Sequence, residues 1–196
     1  IGRAVSLAFA GWGAAVVVAD VDPEPKDADA DRPTHERVRE EGGTADYVET
    51  DVREPADVDA AVEAAREHGG VDVMVNNAGL HVAGSVRDVS LEDFDRLHAV
   101  NARGTFLGCR AAAEDMIDRG TAGSIVNMAS ISSTMAKPGQ IAYESTKASV
   151  LMLTRSAAVD LAEHDVRVNA VAPGRTATEF GASTAREKAR SVEAGD

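Results

Sequence analysis

Tyr143 and Lys147 are two residues whose types and spacing suit proton chemistry. They form a Tyr-x-x-x-Lys pair, and a spacing of four places both side chains on one face of a helix. A free phenol has a pKa of about 10, too high for acid–base work at neutral pH. A neighbouring ammonium favours the phenolate, so Lys147 is expected to lower the pKa of Tyr143. The chain holds only two tyrosines and four lysines, which makes a chance pairing less common than usual.

Ser130 precedes this pair and follows an apolar run. Its hydroxyl could donate a hydrogen bond to a carbonyl oxygen of a substrate. Ser132 and Ser133 lie beside it, so a turn serine is the plainer interpretation of Ser130 taken alone.

Short apolar runs must form the elements that position these side chains. Their mostly continuous rather than alternating apolarity predicts strands of a parallel sheet that is covered on both faces. The predicted strands are 14–20, 45–51, 71–76, 124–129 and 166–172. Helical stretches lie between them, at 56–68, 90–119 and 141–164. This alternation predicts an α/β fold, a doubly wound parallel sheet with helices on both faces, in one domain over 1–196.

Ligands of such sheets bind beyond the carboxyl ends of the strands. Here those ends carry small, polar or turn-forming residues, as a nucleotide cleft requires. They are Asp20, Asp51, Val52, Asn76, Asn77, Ala78, Gly79, Ser130, Pro173 and Gly174. Asp20 could accept hydrogen bonds from both hydroxyls of an adenosine ribose and would repel a 2′-phosphate, which favours NAD over NADP. A solvated acid is the alternative. His81 could face a substrate, although a solvent-exposed or loop-packing histidine is the plainer interpretation.

Together these residues resemble the short-chain dehydrogenase/reductase family. The segment 1–4 is similar to the tail of that family's TGxxxGIG turn. The other motifs fall in family order and at family spacing over essentially the whole chain. They are Asp20, Asp51-Val52, Asn76–Gly79, Asn101 in Val-Asn-Ala, Ser130, Tyr143-x-x-x-Lys147 and Pro173-Gly174-x-x-x-Thr178.

The resemblance implies a role for each catalytic residue. Tyr143 would exchange a proton with the alcohol or ketone oxygen. Lys147 would hold the nicotinamide ribose and lower the tyrosine pKa, and Ser130 would polarise the carbonyl. Asn101 would sit at a helix irregularity and hold a water that links Lys147 to solvent.

The resemblance also implies a set of cofactor contacts. Asp51 and Val52 would flank the adenine, and Thr178 would lie near the nicotinamide carboxamide. The full expected set is Ile1, Gly2, Asp20, Asp51, Val52, Asn77, Ala78, Gly79, Tyr143, Lys147, Pro173, Gly174, Thr176 and Thr178. No metal ligand is expected, because there is one cysteine and no paired histidine motif.

The resemblance implies a Rossmann-type sheet that lacks its first strand and its C-terminal strand in this chain. The first residue is Ile1 and a helix pattern begins at once. The segment 179–196 would be an incomplete substrate lid. We therefore expect a fragment of a full enzyme, which by itself binds NAD poorly and turns over little or nothing.

The leading functional hypothesis is an NAD(H)-dependent oxidoreductase of a secondary alcohol, sugar or ketone. The second hypothesis is that the protein is a 3-oxoacyl-[acyl-carrier-protein] reductase, although the usual NADPH preference of such enzymes disagrees with Asp20. The non-enzyme hypothesis is a catalytically incompetent fragment with a dinucleotide-binding fold.

The net charge of the chain limits the kinds of partner that it can bind. Asp and Glu number 33 against 20 Lys and Arg, which gives a net charge of −13. Such a field repels nucleic acid and anionic membranes, and no apolar run is long enough to span a bilayer. We expect a cytoplasmic protein. Its low lysine content suits a halophilic source, with an ordinary acidic protein as the equal alternative. The helices 90–119 and 141–164 are expected to form a homo-oligomer, a dimer or tetramer.

Overall fold

Strands form where the continuous apolar runs predict them. The computed structural model describes residues 1–26, 30–176, 178 and 180. Within these ranges every strand lies within two residues of its predicted position. The strands are β1 (Ala15–Asp20), β2 (Thr44–Glu49), β3 (Val73–Asn76), β4 (Gly123–Met128) and β5 (Val166–Val171). All paired strands are parallel, which confirms the expected α/β class.

The strands form two sheets rather than one. β1 pairs with β2, with Ala15 opposite Thr44. The second sheet has the order β3-β4-β5, with Val73 opposite Ser124 and Gly123 opposite Val166. Among the described residues, β1 and β3 are therefore each paired along one side only.

Helices connect the strands on both sides of the sheets. They are α1 (Gly2–Gly11), α2 (Thr34–Glu40), α3 (Pro55–Arg66), α4 (Leu91–Leu97), α5 (Gly104–Arg119) and α6 (Ile141–Asp160). The predicted cap of the fourth helix is present, because Ser90 Oγ accepts the N–H of Asp93 at 3.0 Å. Within the ranges described, no helix has the length and apolar character needed to cross a bilayer.

Two predicted helices are shorter or less regular than expected. The helix predicted over 90–119 is not continuous, since the π-helical segment His98–Arg103 separates α4 from α5. The helix predicted over 141–164 ends at Asp160, because the chain then makes a 3₁₀ turn and passes through a left-handed residue, Asp165 (φ 57°), into β5.

The main hydrophobic core lies between α3, α5 and the three-stranded sheet. Met116 of α5 and Ile125 of β4 are fully buried at its centre. Val58 and Val62 contribute from α3, and Val166 and Val168 from β5. Burial of such side chains stabilises a fold by about 1.5–3 kcal/mol each. Packing in this core holds α5 in a fixed position against the three-stranded sheet.

Candidate active site

Tyr143 and Lys147 share one face of α6, as their spacing predicts. The Lys147 Nζ atom lies 5.8 Å from the centroid of the Tyr143 ring. Lys147 is only 4% exposed, and its Nζ donates a hydrogen bond to the carbonyl oxygen of Met128 at 2.7 Å. The lysine is thus held between α6 and the end of β4.

The pKa values of this pair differ from the expectation. Burial lowers the pKa of Lys147 to about 8. Burial also raises the pKa of Tyr143, against the lowering effect of a hydrogen bond with Ser130. The expected lowering of the phenol pKa by Lys147 is therefore wrong for this structure. The physical reason is that burial removes water from the phenolate, while the ammonium is directed to the carbonyl of Met128.

Ser130 is a turn serine in this structure, as the plainer interpretation predicts. It begins the 3₁₀ turn Ile131–Ser133, where its Oγ accepts the N–H of Ser132 at 3.1 Å. Ser130 also acts to lower the pKa of Tyr143. Its hydrogen bond to a substrate carbonyl stays a prediction.

Ser133 is a residue that the sequence interpretation missed. Its Oγ donates to the carbonyl oxygen of Lys147 at 2.8 Å and accepts the N–H of Ser130 at 3.2 Å. Ser133 therefore fastens the turn that carries Ser130 to the helix that carries Tyr143. The run of serines was the only signal in the sequence, and it did not separate Ser133 from Ser132.

Asn101 lies in the π-helical segment, so the expected helix irregularity at this residue is present. Asn101 is 0% exposed. Its Oδ1 accepts the N–H of Leu80 at 2.7 Å, and its Nδ2 donates to the Leu80 carbonyl at 2.9 Å and to Thr146 Oγ1 at 3.0 Å. Asn101 thereby joins the loop after β3 to α6.

Gly79 brings the backbone of the same loop close to Lys147. A Cβ atom added at Gly79 would lie 3.4 Å from Asn101 Oδ1 and 3.7 Å from Lys147 Nζ. A longer side chain would fill the space beside the lysine. This is the close backbone approach that a dinucleotide requires at a strand end.

The start of α1 meets the same loop. A Cβ atom at Gly2 would lie 2.7 Å from Asn77 Nδ2, so Ile1 and Gly2 sit beside the end of β3. Asp20 is exposed at the end of β1, and its Oδ1 accepts the N–H of Val21 at 2.8 Å. These placements leave the Asp20 carboxylate accessible to a ligand.

Asp51 and Val52 are engaged with protein neighbours. The Asp51 carboxylate accepts hydrogen bonds from Nε and Nη2 of Arg53 in an ion pair, and Arg53 lowers the pKa of Asp51. Val52 packs on the first residue of α5, where a Cβ at Gly104 would lie 2.8 Å from Val52 Cγ2. The Asp51 side chain is thus already paired in this structure.

The segment after β5 contacts the Ser130 turn. The Pro173 carbonyl oxygen accepts the N–H of Ile131 at 3.1 Å. Thr176 Oγ1 lies 3.4 Å from the Gly174 carbonyl, and Thr178 Oγ1 lies 3.4 Å from the Phe180 N–H. Of the expected lid over 179–196, only Phe180 is described, and the rest lies outside the described residues.

A buried polar cluster supports the three-stranded sheet. Asn76 Nδ2 donates to Asn127 Oδ1 at 2.8 Å, and Asn127 Nδ2 donates to Thr154 Oγ1 at 3.0 Å. Cys109, whose thiol pKa is raised by burial, lies 3.5 Å from Asn127 Oδ1. The sequence interpretation missed this cluster; asparagines in the middle of apolar strands are the signal that could have found it.

Comparisons with known proteins show which family the chain is similar to. The model of the family described as short chain dehydrogenase matches residues 1–189. The chain is 48% identical over 135 residues to 2-(R)-hydroxypropyl-CoM dehydrogenase of Xanthobacter autotrophicus, covering 67% of the chain and 54% of that relative. It is 38% identical over 159 residues to glucose 1-dehydrogenase 2 of Bacillus subtilis, covering 80% of the chain and 62% of that relative.

A solved structure shows the same fold. A gluconate 5-dehydrogenase from Burkholderia cenocepacia, in complex with NADP and tartrate, superposes with a TM-score of 0.79 at 34% identity. The match covers 92% of this chain and 69% of that protein. The chain thus spans between about half and two thirds of the length of the two curated relatives above.

Proposed function

The chain belongs to the short-chain dehydrogenase family, and from that premise we propose that it is an oxidoreductase of secondary alcohols and ketones. The observation that carries the proposal is that Lys147 shares one face of α6 with Tyr143, with its Nζ 5.8 Å from the centroid of the phenol ring, while Ser130 begins a turn that is hydrogen-bonded to α6. We infer that two hydroxyls and a buried amine surround one position. A carbonyl or alcohol oxygen there would meet a proton donor and a second hydrogen-bond donor.

Tyr143 is the acid–base group of the proposed reaction. In ketone reduction its phenol donates a proton to the oxygen of the substrate, and in alcohol oxidation its phenolate accepts that proton. Ser130 hydrogen-bonds the same substrate oxygen and holds it against Tyr143. A bound nicotinamide cofactor supplies the hydride or accepts it.

The raised pKa of Tyr143 favours the protonated phenol at neutral pH. Tyr143 is then ready to donate a proton, as ketone reduction requires. Alcohol oxidation requires the phenolate, so we expect its rate to rise with pH above neutrality.

Residues at the strand ends would hold the dinucleotide. Lys147 would bind the nicotinamide ribose, and its pKa of about 8 keeps it largely protonated at neutral pH. Asn77, Ala78 and Gly79 would contact the adenosine side. The remaining proposed contacts are Ile1, Gly2, Asp51, Val52, Pro173, Gly174, Thr176 and Thr178.

Asp20 supports NAD as the preferred cofactor. Its exposed carboxylate at the end of β1 would accept the ribose hydroxyls and repel a 2′-phosphate. The gluconate 5-dehydrogenase structure carries NADP, so the preference rests on Asp20 alone. The same carboxylate disfavours the NADPH-linked 3-oxoacyl reductase alternative.

We also propose self-association through α5 and α6. Both helices leave apolar side chains exposed, among them Phe106 (47%) on α5 and Val159 (77%) on α6. Burial of these side chains against a second copy would remove them from water. Light scattering should give at least twice the mass of one chain, and a monomer at working concentration would contradict the proposal.

The test of the proposed function is oxidation of secondary alcohols with NAD⁺ and with NADP⁺ by the full-length enzyme. Tyr143→Phe should lower kcat by about a thousandfold, since it removes the proton acceptor, while retaining cofactor binding measured by fluorescence. Tyr47→Phe is the control because it changes the only other tyrosine. Its hydroxyl donates to the Asp20 carbonyl, so the change should alter NAD⁺ affinity at most and leave kcat unchanged. Near-normal turnover in Tyr143→Phe would overturn the assignment.

A further inference from the structure

The carboxylate of Asp51, in the loop after β2, is held by three N–H groups of one arginine. Its Oδ1 accepts the backbone N–H of Arg53 at 2.9 Å. The Nε atom of Arg53 donates to Oδ1 and to Oδ2, both at 2.9 Å, and Nη2 donates to Oδ2. Arg53 lowers the pKa of Asp51, so this carboxyl group is ionised at neutral pH. A carboxylate has about four lone-pair positions, and these donors leave about one of them free.

The backbone of Asp51 is also held in place. Its N–H donates to the carboxylate of Asp57, in the first turn of α3, at 3.0 Å. Its carbonyl oxygen accepts the N–H of Glu54 at 2.8 Å. The loop then meets the π-helical segment, where Arg103 Nη2 donates to the carbonyl oxygen of Arg53 at 2.7 Å. The main chain and the side chain of Asp51 are therefore both fixed by protein contacts.

Asp51 lies at the same edge of the sheet as Asp20. Thr50, the residue before Asp51, donates its N–H to the Asp20 carbonyl oxygen at 2.9 Å, because the two acids lie at the ends of neighbouring parallel strands. The Asp51 side chain is 24% exposed, so a ligand can reach it. An adenosine whose ribose is bound by Asp20 would thus bring its base toward Asp51.

We propose that Arg53 and Arg103 are positioning residues that hold the free lone pair of Asp51 for the 6-amino group of adenine, so that the enzyme selects adenine dinucleotides over hypoxanthine dinucleotides. The inference rests on the proposed function and specifies how its cofactor is recognised. The 6-amino group of adenine donates hydrogen bonds, whereas the 6-oxo group of hypoxanthine only accepts them. An ionised Asp51 also only accepts, so it would leave that oxygen without a donor. Because Arg53 keeps the carboxylate in one orientation, adenine does not have to immobilise it on binding.

The first test measures the dissociation constants of NADH and of its hypoxanthine analogue for the full-length enzyme, by nicotinamide fluorescence. The unmodified enzyme should bind NADH at least about tenfold more tightly. Arg53→Met keeps an apolar stem but removes the side-chain N–H donors, and it should lower this ratio about fivefold because Asp51 is then free to rotate. Arg103→Met should lower the ratio about threefold, and it keeps the proposal falsifiable if Arg53→Met does not fold.

Two further variants separate positioning from a general loss of structure. Arg87→Met makes the matched change at an exposed arginine and should leave the ratio unchanged. Arg53→Lys retains the charge but not the two-pronged geometry of the guanidinium, so it should lower the ratio nearly as much as Arg53→Met. An unchanged ratio in Arg53→Met, or a ratio in Arg53→Lys equal to that of the unmodified enzyme, would overturn the positioning role.

A double substitution tests whether Arg53 acts through Asp51. Asp51→Ala removes the acceptor and should abolish the preference for NADH. Adding Arg53→Met to Asp51→Ala should then change the ratio by less than about twofold, because the two side chains act as one unit. A further change as large as that of Arg53→Met alone would show that Arg53 contacts the base itself, and the positioning role would be wrong.

The binding ratio also separates this inference from the proposed function. If no alcohol is oxidised but NADH is preferred and Arg53→Met weakens the preference, the proposed function fails and the positioning role stands. If alcohols are oxidised with NAD⁺ but the two dinucleotides bind equally, the positioning role is overturned and the proposed function stands. Absence of binding by either dinucleotide would contradict both.

Discussion

The two sheets of the molecule are supported in different ways. The three-stranded half, comprising β3–β5 with α4–α6, buries polar side chains such as Asn101, Asn127 and Thr146 and satisfies them with hydrogen bonds. The two-stranded half comprises α1–α3 with β1 and β2. There, neither α1 nor β1 has a fully buried residue.

This difference matches the chemistry proposed for each half. A proton-transfer group needs a fixed position. In the three-stranded half, Lys147 is buried and hydrogen-bonded to the Met128 carbonyl, and Tyr143 is partly buried on the same helix face. A carboxylate that binds ribose hydroxyls needs only to be accessible, and Asp20 is exposed in the two-stranded half.

Asp115 of α5 connects the halves. It is 0% exposed and accepts hydrogen bonds from Arg66 of α3, from Arg119 and from the N–H of Val71, at 2.8, 2.9 and 2.8 Å. Burial would raise the pKa of Asp115, but these hydrogen bonds outweigh it and hold the pKa below its usual value. The stabilisation is therefore present above the ordinary carboxyl pKa and is lost as the pH falls through the lowered value.

The largest effect on the comparison should come from Asp115→Ala, which removes a polar link between the halves. The change leaves the buried N–H of Val71 without its partner and takes one ion pair each from Arg66 and Arg119, so it should lower the free energy of unfolding by about 3 kcal/mol. Urea unfolding at pH 7 measures it. Asp118→Ala, at an exposed position of the same helix, should change the free energy by less than about 0.5 kcal/mol. Similar losses in both variants would contradict the role of Asp115.

Hydrogen exchange should show directly that the two-stranded half is less stable than the three-stranded half. Amides of β1 and α1 should exchange about a hundredfold faster than those of β4 and α6, because the two-stranded half has fewer buried contacts to break before it opens. Exchange followed by mass spectrometry on the intact chain measures the ratio. Uniform protection across both halves would show that they open as one unit.

Lys147→Met should stabilise the three-stranded half while removing its chemistry. The pKa of Lys147 is lowered from 10.5 to about 8, so below pH 8 the folded protein carries a desolvated charge. Removing the amine should raise the free energy of unfolding at pH 7 by about 2 kcal/mol, after allowing for the lost hydrogen bond to Met128.

The sign of the pH dependence follows from the same pKa. Between pH 8 and 10.5 the unfolded chain binds more protons at Lys147 than the folded chain, so the unmodified protein gains stability as the pH rises. The advantage of Lys147→Met should therefore shrink by pH 10. Lys137→Met, at an exposed lysine, should show neither effect. An advantage that is constant with pH would contradict the assigned pKa.

The smallest expected effect concerns Ser133 as a positioning residue. Ser133→Ala removes the hydrogen bond to the Lys147 carbonyl and should lower kcat about fivefold with little change in KM, the equivalent of about 1 kcal/mol. Ser132→Ala keeps the backbone N–H that Ser130 uses and should leave kcat unchanged. Ser133→Thr retains the hydroxyl and should restore most of the loss. Equal effects of Ser132→Ala and Ser133→Ala would refute the positioning role.

Periodicity explains which features the sequence could predict. Continuous apolar runs located β1 to β5 because strands of a parallel sheet are covered on both faces. A spacing of four placed Tyr143 and Lys147 on one helix face because residues four apart are neighbours on the surface of an α-helix. Local patterns suffice for features of this kind.

Other features depend on contacts between distant segments. The His81–Gln140 hydrogen bond joins residues 59 positions apart, and no local pattern reports it. The pKa of Tyr143 depends on burial by the folded chain, and Lys147 has the Met128 carbonyl as an alternative partner. Ser133 could not be separated from Ser132 because the choice follows from the 3₁₀ turn that orients them.

The wide turn at His98–Arg103 has a consequence for how this stretch can change in length. An α-helix rotates by about 100° per residue, and a π-helical turn accommodates one residue more than an α-helical turn. Deletion of a single residue here would let the segment close into regular α-helical winding without rotating α5 relative to α4, because the wide turn takes up the extra residue. Met116, now fully buried, would keep its place in the core. A one-residue deletion within α5 itself would instead rotate the residues beyond it by about 100°.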